Sequence, residues 1–366
     1  MDGAPGSNRL WKWILNGALI LIVFLWSFPT IGLLVSSVRD RAAISSSGWW
    51  TVLPHTEFST TDTFPPPEGV NPDGVMTIRG ATGTFEEFRT GITNPDGEKV
   101  LWVGNKRNGR IEIQAEHWVW FGSLTVDNYS QVLSGKQVTI TNPDGSTTTQ
   151  QGDNLTEAFL NSVAVAIPAT VIPILIAAYA AYGFAWMKFP GRRGMFIMVV
   201  ALLVVPLQIA LIPILQDYVR LKINGTFLAV WLAHTGFGLP LATYLLYNYV
   251  SNLPRDLLES SFVDGASHFT IFRKLILPLS LPALASFAIF QFLWVWNDYL
   301  VALVFIGSKP GVEVLTQRLA GLVGSRGSDW HLLTAGAFVT MVLPLAVFFG
   351  LQRYFVRGLL AGSVKG

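Results

Sequence analysis

The chain has 366 residues, of which 51% are hydrophobic and only 13% charged. That is about half the roughly 25% charge of soluble domains, which argues against an ordinary soluble enzyme and against disorder. Its 25 Lys and Arg against 23 Asp and Glu leave a formal net charge of +2, too small to point to a nucleic-acid partner, and with no cysteine, disulfide, zinc–thiolate and thiol chemistry are excluded.

A membrane-crossing helix needs about 20 mostly apolar residues. Residues 13–38 supply the first such stretch, free of Asp, Glu, Lys and Arg. It is far longer than the roughly 7–15 apolar residues of a signal-peptide core, so it reads as a retained helix. Residues 39–154 are polar and long enough for a small domain, and they read as β. Asn-Pro-Asp-Gly turns start at Asn71, Asn94 and Asn142. Ile111, Ile113 and Ala115 alternate with Glu112, Gln114 and Glu116, as in a half-buried strand, and Asn108-Gly109 before them suits a hairpin turn. Pro65-Pro66-Pro67 suggests an extended linker. Trp102, Trp118 and Trp120 suit the core of this insert or an interfacial belt, with a sugar-stacking platform as the alternative. Leu133-Ser134-Gly135-Lys136-Gln137 has the look of a nucleotide-cassette signature, but no GxxxxGK[ST] loop accompanies it.

Apolar stretches then follow at 158–187, 194–216, 223–254 (with His234 inside), 275–297 and 332–352. The fifth continues through Asp298 to about Ile306. Pro29, Pro168, Pro173, Pro206, Pro213, Pro240, Pro282 and Pro344 lie inside the six runs. A membrane bundle tolerates them, and a transporter gains kinks from them. With the N-terminus inside, the short inner segments hold Arg9, Lys12, Lys188, Arg192, Arg193, Arg255, Arg273, Lys274, Arg353, Arg357 and Lys365. The short outer loops hold only Arg220, Lys222, Lys309, Arg318 and Arg326. The positive-inside rule therefore places both termini in the cytoplasm.

Between the fourth and fifth stretches, Pro254 suits a helix start, and Asp256 and Glu259 suit its first turns. Leu257, Leu258 and Phe262 form an apolar stripe beside small Ser260 and Ser261, and Gly265 can end the helix. A second short helix carries Phe269, Phe272 and Leu275 and ends at Arg273 and Lys274. Such an element docks into a partner's groove or lies on lipid.

This loop resembles the EAA coupling motif of ABC-importer permeases. Glu259 matches the motif glutamate, Ser260 and Ser261 stand in place of its two alanines, and Gly265 takes its glycine, with Asp264-Gly265-Ala266 and Leu277-Pro278-Leu279 also fitting. Leu124-Thr125-Val126-Asp127-Asn128-Tyr129 and Trp296-Asn297-Asp298-Tyr299 resemble phrases of carbohydrate permeases. The end of the chain, from Gly358 to Gly366, resembles the tail of MalG-type permeases. The large insert is similar to that of α-glucoside permeases.

The resemblance implies an all-α polytopic membrane protein with six transmembrane helices, the type I ABC importer permease fold, and a β-rich extracytoplasmic insert between helices 1 and 2. The implied organisation is 1–38 as N-terminus and first helix, 39–154 as insert, and 155–366 as permease core, with coupling helices 254–274 and a tail 353–366. It implies a sugar importer subunit of the bacterial or archaeal inner membrane, with no catalytic or metal-binding residues and no cofactor on this chain. A MalF-like second permease, two ATPase subunits that bind ATP and Mg, an extracytoplasmic sugar-binding protein and a carbohydrate are the implied partners, in a lipid bilayer. Glu259, Ser260, Ser261, Asp264, Gly265, Ala266 and Phe269 would contact the ATPases, and Gly362, Ser363, Val364, Lys365 and Gly366 would insert between them. Thr316, Gln317 and Arg318 would face the binding protein, and removing residues 313–324 is expected to abolish uptake without disturbing assembly.

Asp298 is the one carboxylate well inside a stretch, and Gln291, Trp294 and Asp298 share a helical face at spacings of three and four. With Asn297 they are candidates for the sugar path, against a structural polar contact between helices. His234 and Gln208 read as polar ties between helices. A membrane-embedded glycosyltransferase-like enzyme or an ATP-independent carrier is the rival reading; neither has a recognisable motif here.

Overall fold

A computed structural model describes residues 5–361 except 123, 136, 142–146, 152–153 and 326–328. The C-terminal residues Gly362 to Gly366 and the third Asn-Pro-Asp-Gly turn therefore lie outside the described residues. The chain forms two compact units, residues 1–125 and 126–366.

In the first unit, α1 (Pro5–Ser37) is the long apolar helix, with Pro29 inside it. A short helix, α2 (Arg41–Ser46), is capped by Asp40, whose side chain accepts from the Ala43 N–H, and a 3₁₀ turn (Trp49–Val52) follows. The strands are β1 (His55–Phe64), β2 (Met76–Ile78), β3 (Ala81–Gly83), β4 (Ile92–Thr93), β5 (Lys99–Val103) and β6 (Arg110–Val119), with α3 (Phe85–Thr90) between β3 and β4. The main sheet is antiparallel in the order β1-β6-β5-β4, and β2 pairs with β3.

Alternation in β6 buries Ile111 and Ile113 as expected, but fades at Ala115. These isoleucines pack with Met76, Ile78, Phe85, Phe88, Val100 and Trp102. The turn beginning at Asn94 closes β4 on β5. Its backbone N–H reaches Glu98 O at 2.8 Å, its side chain accepts from Asp96 and Glu98 N–H groups, and Gly97 takes a positive φ of 81°. The β5–β6 connection is longer than the expected Asn108-Gly109 pair. Asn105 Oδ1 accepts from the Arg107 and Asn108 N–H groups and organises the whole loop from Gly104 to Gly109, because side-chain-to-backbone bonds of this kind build turns independently of a two-residue signature.

The second unit begins with α4 (Asp127–Ser134) and a hairpin of β7 (Gln137–Thr141) and β8 (Thr147–Gln151). The helices that follow are α5 (Leu155–Trp186), α6 (Arg192–Ala201), α7 (Leu207–Arg220), α8 (Phe227–Ser251), α9 (Arg255–Val263), α10 (His268–Ile271), α11 (Leu277–Leu279), α12 (Leu281–Asn297), α13 (Leu300–Phe305), α14 (Leu315–Ser325) and α15 (Trp330–Ala361). Although α4 falls within the segment assigned to the insert, it packs with this unit. Val132 joins Leu155 in the main core, and Thr156 Oγ1 donates to Leu133 O at 2.8 Å.

Parallel α5 and α8 form the centre, with Ala164 beside Trp231 near their starts and Trp186 beside Val250 at their ends. Small side chains allow their backbones to approach: Ala166, Ala169, Ala177 and Ala181 on α5 and Ala229, Ala233 and Ala242 on α8 are all buried. Trp231 and Trp186 donate their indole N–H groups across the pair to Ala164 O and Val250 O.

Among the described residues, Arg9–Ser37, Leu155–Trp186, Phe227–Ser251 and Trp330–Tyr354 are each long and apolar enough to cross a membrane. The other two expected spans are bent pairs. Arg192–Val204 and Leu207–Arg220 meet at 105°, and His268–Leu279 and Leu281–Asn297 at 72°. The third span is therefore not the single straight helix its composition suggests. Pro206 has no N–H to continue the helix and forces the residue before it into extended geometry, and Val205 sits at φ −73°, ψ 117°. In the fifth span a π-helical turn (Phe272–Ile276) and two prolines, Pro278 and Pro282, interrupt the hydrogen-bond ladder around Ser280. With each bent pair taken as one span, the described residues hold six by length and composition.

Candidate functional site

The segment from Pro254 to Ile276 forms a foot with two different sides. Leu258 is fully buried and packs with Tyr182 of α5, Val250 of α8, Ile271 of α10 and Ile276. The Tyr182 hydroxyl lies 2.8 Å from His268 Nδ1, and the Phe262 and His268 rings meet at 5.0 Å. Leu257, Phe262, Val263 and Phe269 are exposed, Val263 to 87% and Phe269 to 62%. The expected stripe thus divides: Leu258 alone turns inward, because neighbouring residues on a helix point about 100° apart and only one of them can face the α5–α8 ends.

Glu259 and Asp264 are exposed beside this apolar surface. Ser260 and Ser261 each donate a hydroxyl to Leu257 O, at 3.2 and 2.9 Å, which satisfies them locally and keeps the surface low. The turn after α9 is fixed by Gly265 at φ +76°, with Gly265 N–H donating to Phe262 O and Ala266 N–H to Ser261 O, both at 3.0 Å. Ser267 then caps α10. Phe269 stays outside, whereas Phe272, which opens the π turn, packs against Tyr179 and Tyr182.

A second group of polar residues lies within the bundle. Gln291 is buried, and its Nε2 donates to Ala169 O at 3.2 Å and His234 O at 3.3 Å. Its amide occupies the space a side chain at Gly238 would take: a Cβ there would lie 2.7 Å from Gln291 Oε1. His234 Nε2 is 3.5 Å from Asp298 Oδ2, and the His234 ring meets Trp294 edge-on at 5.2 Å.

Asp298 is not on the same helix as Gln291 and Trp294, because α12 ends at Asn297 and Asp298 occupies the break before α13. There its Oδ1 accepts from Val301 N–H at 3.1 Å, and its carbonyl accepts from Thr316 Oγ1 at 2.9 Å. The cavity beside Ser162, His234, Trp296 and Asp298 is only about 10 Å³, room for one water at most. Gln291, His234 and Asp298 therefore form a polar joint between α5, α8, α12 and α13, while Trp294 and Asn297 keep exposed surface. His234 does tie helices together, as its sequence reading had it. A lone histidine in an uncharged span was its signal, and its partner lies 64 residues further along the chain.

The loop into α14 is stitched to α5. Leu315 N–H donates to Ser162 Oγ at 2.8 Å, and Asn161 Nδ2 donates to Gly311 O and Glu313 O, each at 3.1 Å. Thr316 and Gln317 point inward: Gln317 accepts from Val314 N–H and donates to Gly307 O, both at 3.0 Å. Arg318 Nε pairs with Glu313 Oε2 at 2.6 Å, with both side chains about 20% exposed. Val314, Leu315 and Leu322 belong to the main core. Removing 313–324 would therefore open that core, which corrects the expectation that such a deletion leaves assembly undisturbed.

Residues 161–360 match the family described as binding-protein-dependent transport system inner membrane component. The chain is 48% identical to the alpha-glucoside transport system permease protein AglG of Rhizobium meliloti, over 99% of both chains. It is also 48% identical to the osmoprotective compounds uptake permease protein GgtD of Synechocystis sp., over 95% of this chain and 90% of that one. A crystal structure of a bacterial ABC transporter involved in the import of the acidic polysaccharide alginate superposes with a TM-score of 0.59 at 13% identity, covering 97% of this chain and 100% of that one, and so shares the fold. A short foot on an α5–α8 pair, broken spans and a family match over most of the second unit converge: the chain belongs to the binding-protein-dependent transport system inner membrane components, as a multi-pass permease subunit of an ABC importer and not an enzyme.

Proposed function

We propose that the chain is one of two permease subunits of an ATP-driven, binding-protein-dependent importer of di- or oligosaccharides of the α-glucoside class. The observation that carries the coupling part of this reading is the two-sided foot. One side is locked to the ends of α5 and α8 through Leu258, and the other presents Val263 and Phe269 beside Glu259 and Asp264. An exposed apolar knob on a firmly held short helix suits a groove in a partner. Two separate ATPase subunits, which bind ATP and Mg²⁺, supply that groove, and Gly362 to Gly366 insert between them. A MalF-like permease completes the path, with Trp294 and Asn297 on this chain's wall of it. An extracytoplasmic binding protein delivers the sugar near α14. The excess of Lys and Arg on the foot's side of the membrane supports a cytoplasmic location for both termini. The α-glucoside class is supported by the whole-length similarity to AglG.

Because the chain has no cysteine, Glu259→Cys and Asp264→Cys give clean single-site cross-linkers in the assembled complex. Both are expected to capture the ATPase subunit, and ATP hydrolysis in proteoliposomes is expected to rise with the loaded binding protein and an α-glucoside. Cross-links to lipid alone would remove the coupling role. Stimulation by unrelated sugars only would remove the substrate class.

A further inference from the structure

The first unit has a group of large apolar side chains that its own core does not use. Trp102 is in that core, packed edge-on against Phe85 at 5.5 Å with its indole N–H donating to Asn105 O. Trp118 and Trp120, read alongside it in the sequence, are 65% and 64% exposed. Trp50, Leu53 and Phe121 are exposed to about the same degree.

These five residues gather at one end of the insert. Phe121 N–H donates to Val52 O at 3.1 Å, Trp118 pairs with Thr56 across β1 and β6, and Trp50 and Leu53 flank Val52. This is the end that joins α1. Trp49 meets Phe28 of α1 at 5.0 Å and lies over Gly32, where an added Cβ would come within 2.6 Å of its indole nitrogen. Thr125 N–H donates to Val38 O at 2.6 Å, and Leu124 bridges to Arg39. The aromatic group is thus continuous with the end of a membrane-spanning helix in the same compact unit.

Charge is distributed to match. Arg39, just past the end of α1, is folded inward: it is 3% exposed, and its Nη2 donates to Ala43 O, Ser47 Oγ and Thr51 Oγ1, while Arg41 at the start of α2 is exposed, as a long cationic side chain at headgroup level can be. The exposed charged side chains of the ribbon begin one step further from α1, at Glu57 and Glu116. An aromatic zone at the end of a span, followed by a charged zone, is the order found at a membrane–water interface. There the apolar body of a Trp ring sits among lipid chains and its N–H reaches the headgroup level.

We infer that Trp50, Leu53, Trp118, Trp120 and Phe121 form a collar that seats the base of the insert in the lipid headgroup region next to α1. The occupant of this surface is lipid, and the collar fixes the height of the β-sheet above the bilayer.

Two experiments on the whole chain in its assembled complex, in nanodiscs, test this. Nitroxide labels at Trp118→Cys, Trp120→Cys and Phe121→Cys are expected to collide more often with oxygen than with a water-soluble nickel chelate. A label at Val75→Cys, on an exposed residue of the insert distant in sequence from the collar, is expected to show the reverse ratio. Lipids carrying a diazirine just below the headgroup should label peptides spanning 49–53 and 118–121 of the unsubstituted chain and spare 71–79. Nickel-dominated collisions at all three collar sites would mean that they face water. Exclusion of both reagents would mean that protein covers them. Diazirine adducts on α1 alone would exclude lipid from the insert. Each of these results overturns the proposal.

Discussion

If Leu258 is the pin that holds the foot to the bundle, Leu258→Ala should uncouple the transporter without dissolving the complex. Leu258 is completely buried among Tyr182, Val250, Ile271 and Ile276, so truncation removes apolar contact and leaves a void. Leu-to-Ala changes at such sites cost about 2–5 kcal/mol. At about 3 kcal/mol, the ratio of docked to undocked foot falls roughly 150-fold. The opposite face keeps Val263, Phe269 and Glu259, so the proposed ATPase contact retains its groups. In proteoliposomes the expected result is continued ATP hydrolysis with a markedly lower yield of sugar per ATP, and faster amide exchange across 255–271 with α5 unchanged. Leu258→Met, which conserves volume and costs less than about 1.5 kcal/mol, should keep the yield close to wild type. An unchanged sugar-to-ATP ratio in Leu258→Ala, measured alongside faster exchange, would refute the idea that a rigid foot transmits the stroke.

Gly265→Ala should weaken coupling through the backbone alone, since nothing lies within 4 Å of the added methyl but the residue sits at φ +76°. A penalty of about 1–2 kcal/mol should appear as increased protease sensitivity between α9 and α10. Gly238→Ala should lower the thermal midpoint of the complex by displacing Gln291, and the same change in a Gln291→Ala background should be well tolerated, so the two substitutions should be strongly non-additive in a double-mutant cycle. In the insert, the Glu87 carboxylate accepts from the Thr84 N–H at 2.7 Å and hydroxyl at 2.9 Å, and these bonds hold it below its ordinary value of 4.5. A depressed carboxylate contributes stability that is present above about pH 4.5 and lost as pH falls through the lower folded value. Amide protection of α3 should therefore decline in acid, and Glu87→Gln should flatten that decline.

The six spans were legible because apolar length is a local property, and the β insert was legible where a two-residue period or an Asn-Pro-Asp-Gly turn is local too. Ile111, Ile113 and the turn at Asn94 behave as their neighbours in sequence dictate. The breaks in spans three and five were not located. Pro29, Pro168, Pro173, Pro213, Pro240 and Pro344 all sit inside continuous helices, whereas Pro206 ends one. Tolerance depends on whether neighbouring groups satisfy the freed carbonyl, which is tertiary information. Asp298 stood out as a carboxylate in an apolar run, yet its working geometry comes from Val301, from Thr316 and from His234, and only the first is near in sequence. For the same reason Thr316 and Gln317 read as loop surface although their side chains bind Asp298 O and Gly307 O within the fold.

The arrangement of firm and broken elements also says where a push on the foot must go. The α5–α8 pair is closely packed through alanines and tied by two indole bonds, so it resists shear. From Ile271 onward the chain has a π turn, two prolines and a 72° bend at Ser280, all before α12 reaches Gln291. Deformation is cheapest there, because each interruption lacks a ladder bond that a continuous helix would have to break. Beyond Gln291, α12 is held again by the His234–Asp298 joint, and Thr316 ties that joint to α14. A displacement of the foot is therefore taken up as rotation of α12 between a flexible base and a fixed upper joint. Displacement grows with distance from the fixed joint, so exposed Leu281 at the base of α12 sweeps a wider arc than Phe290 beside Gln291.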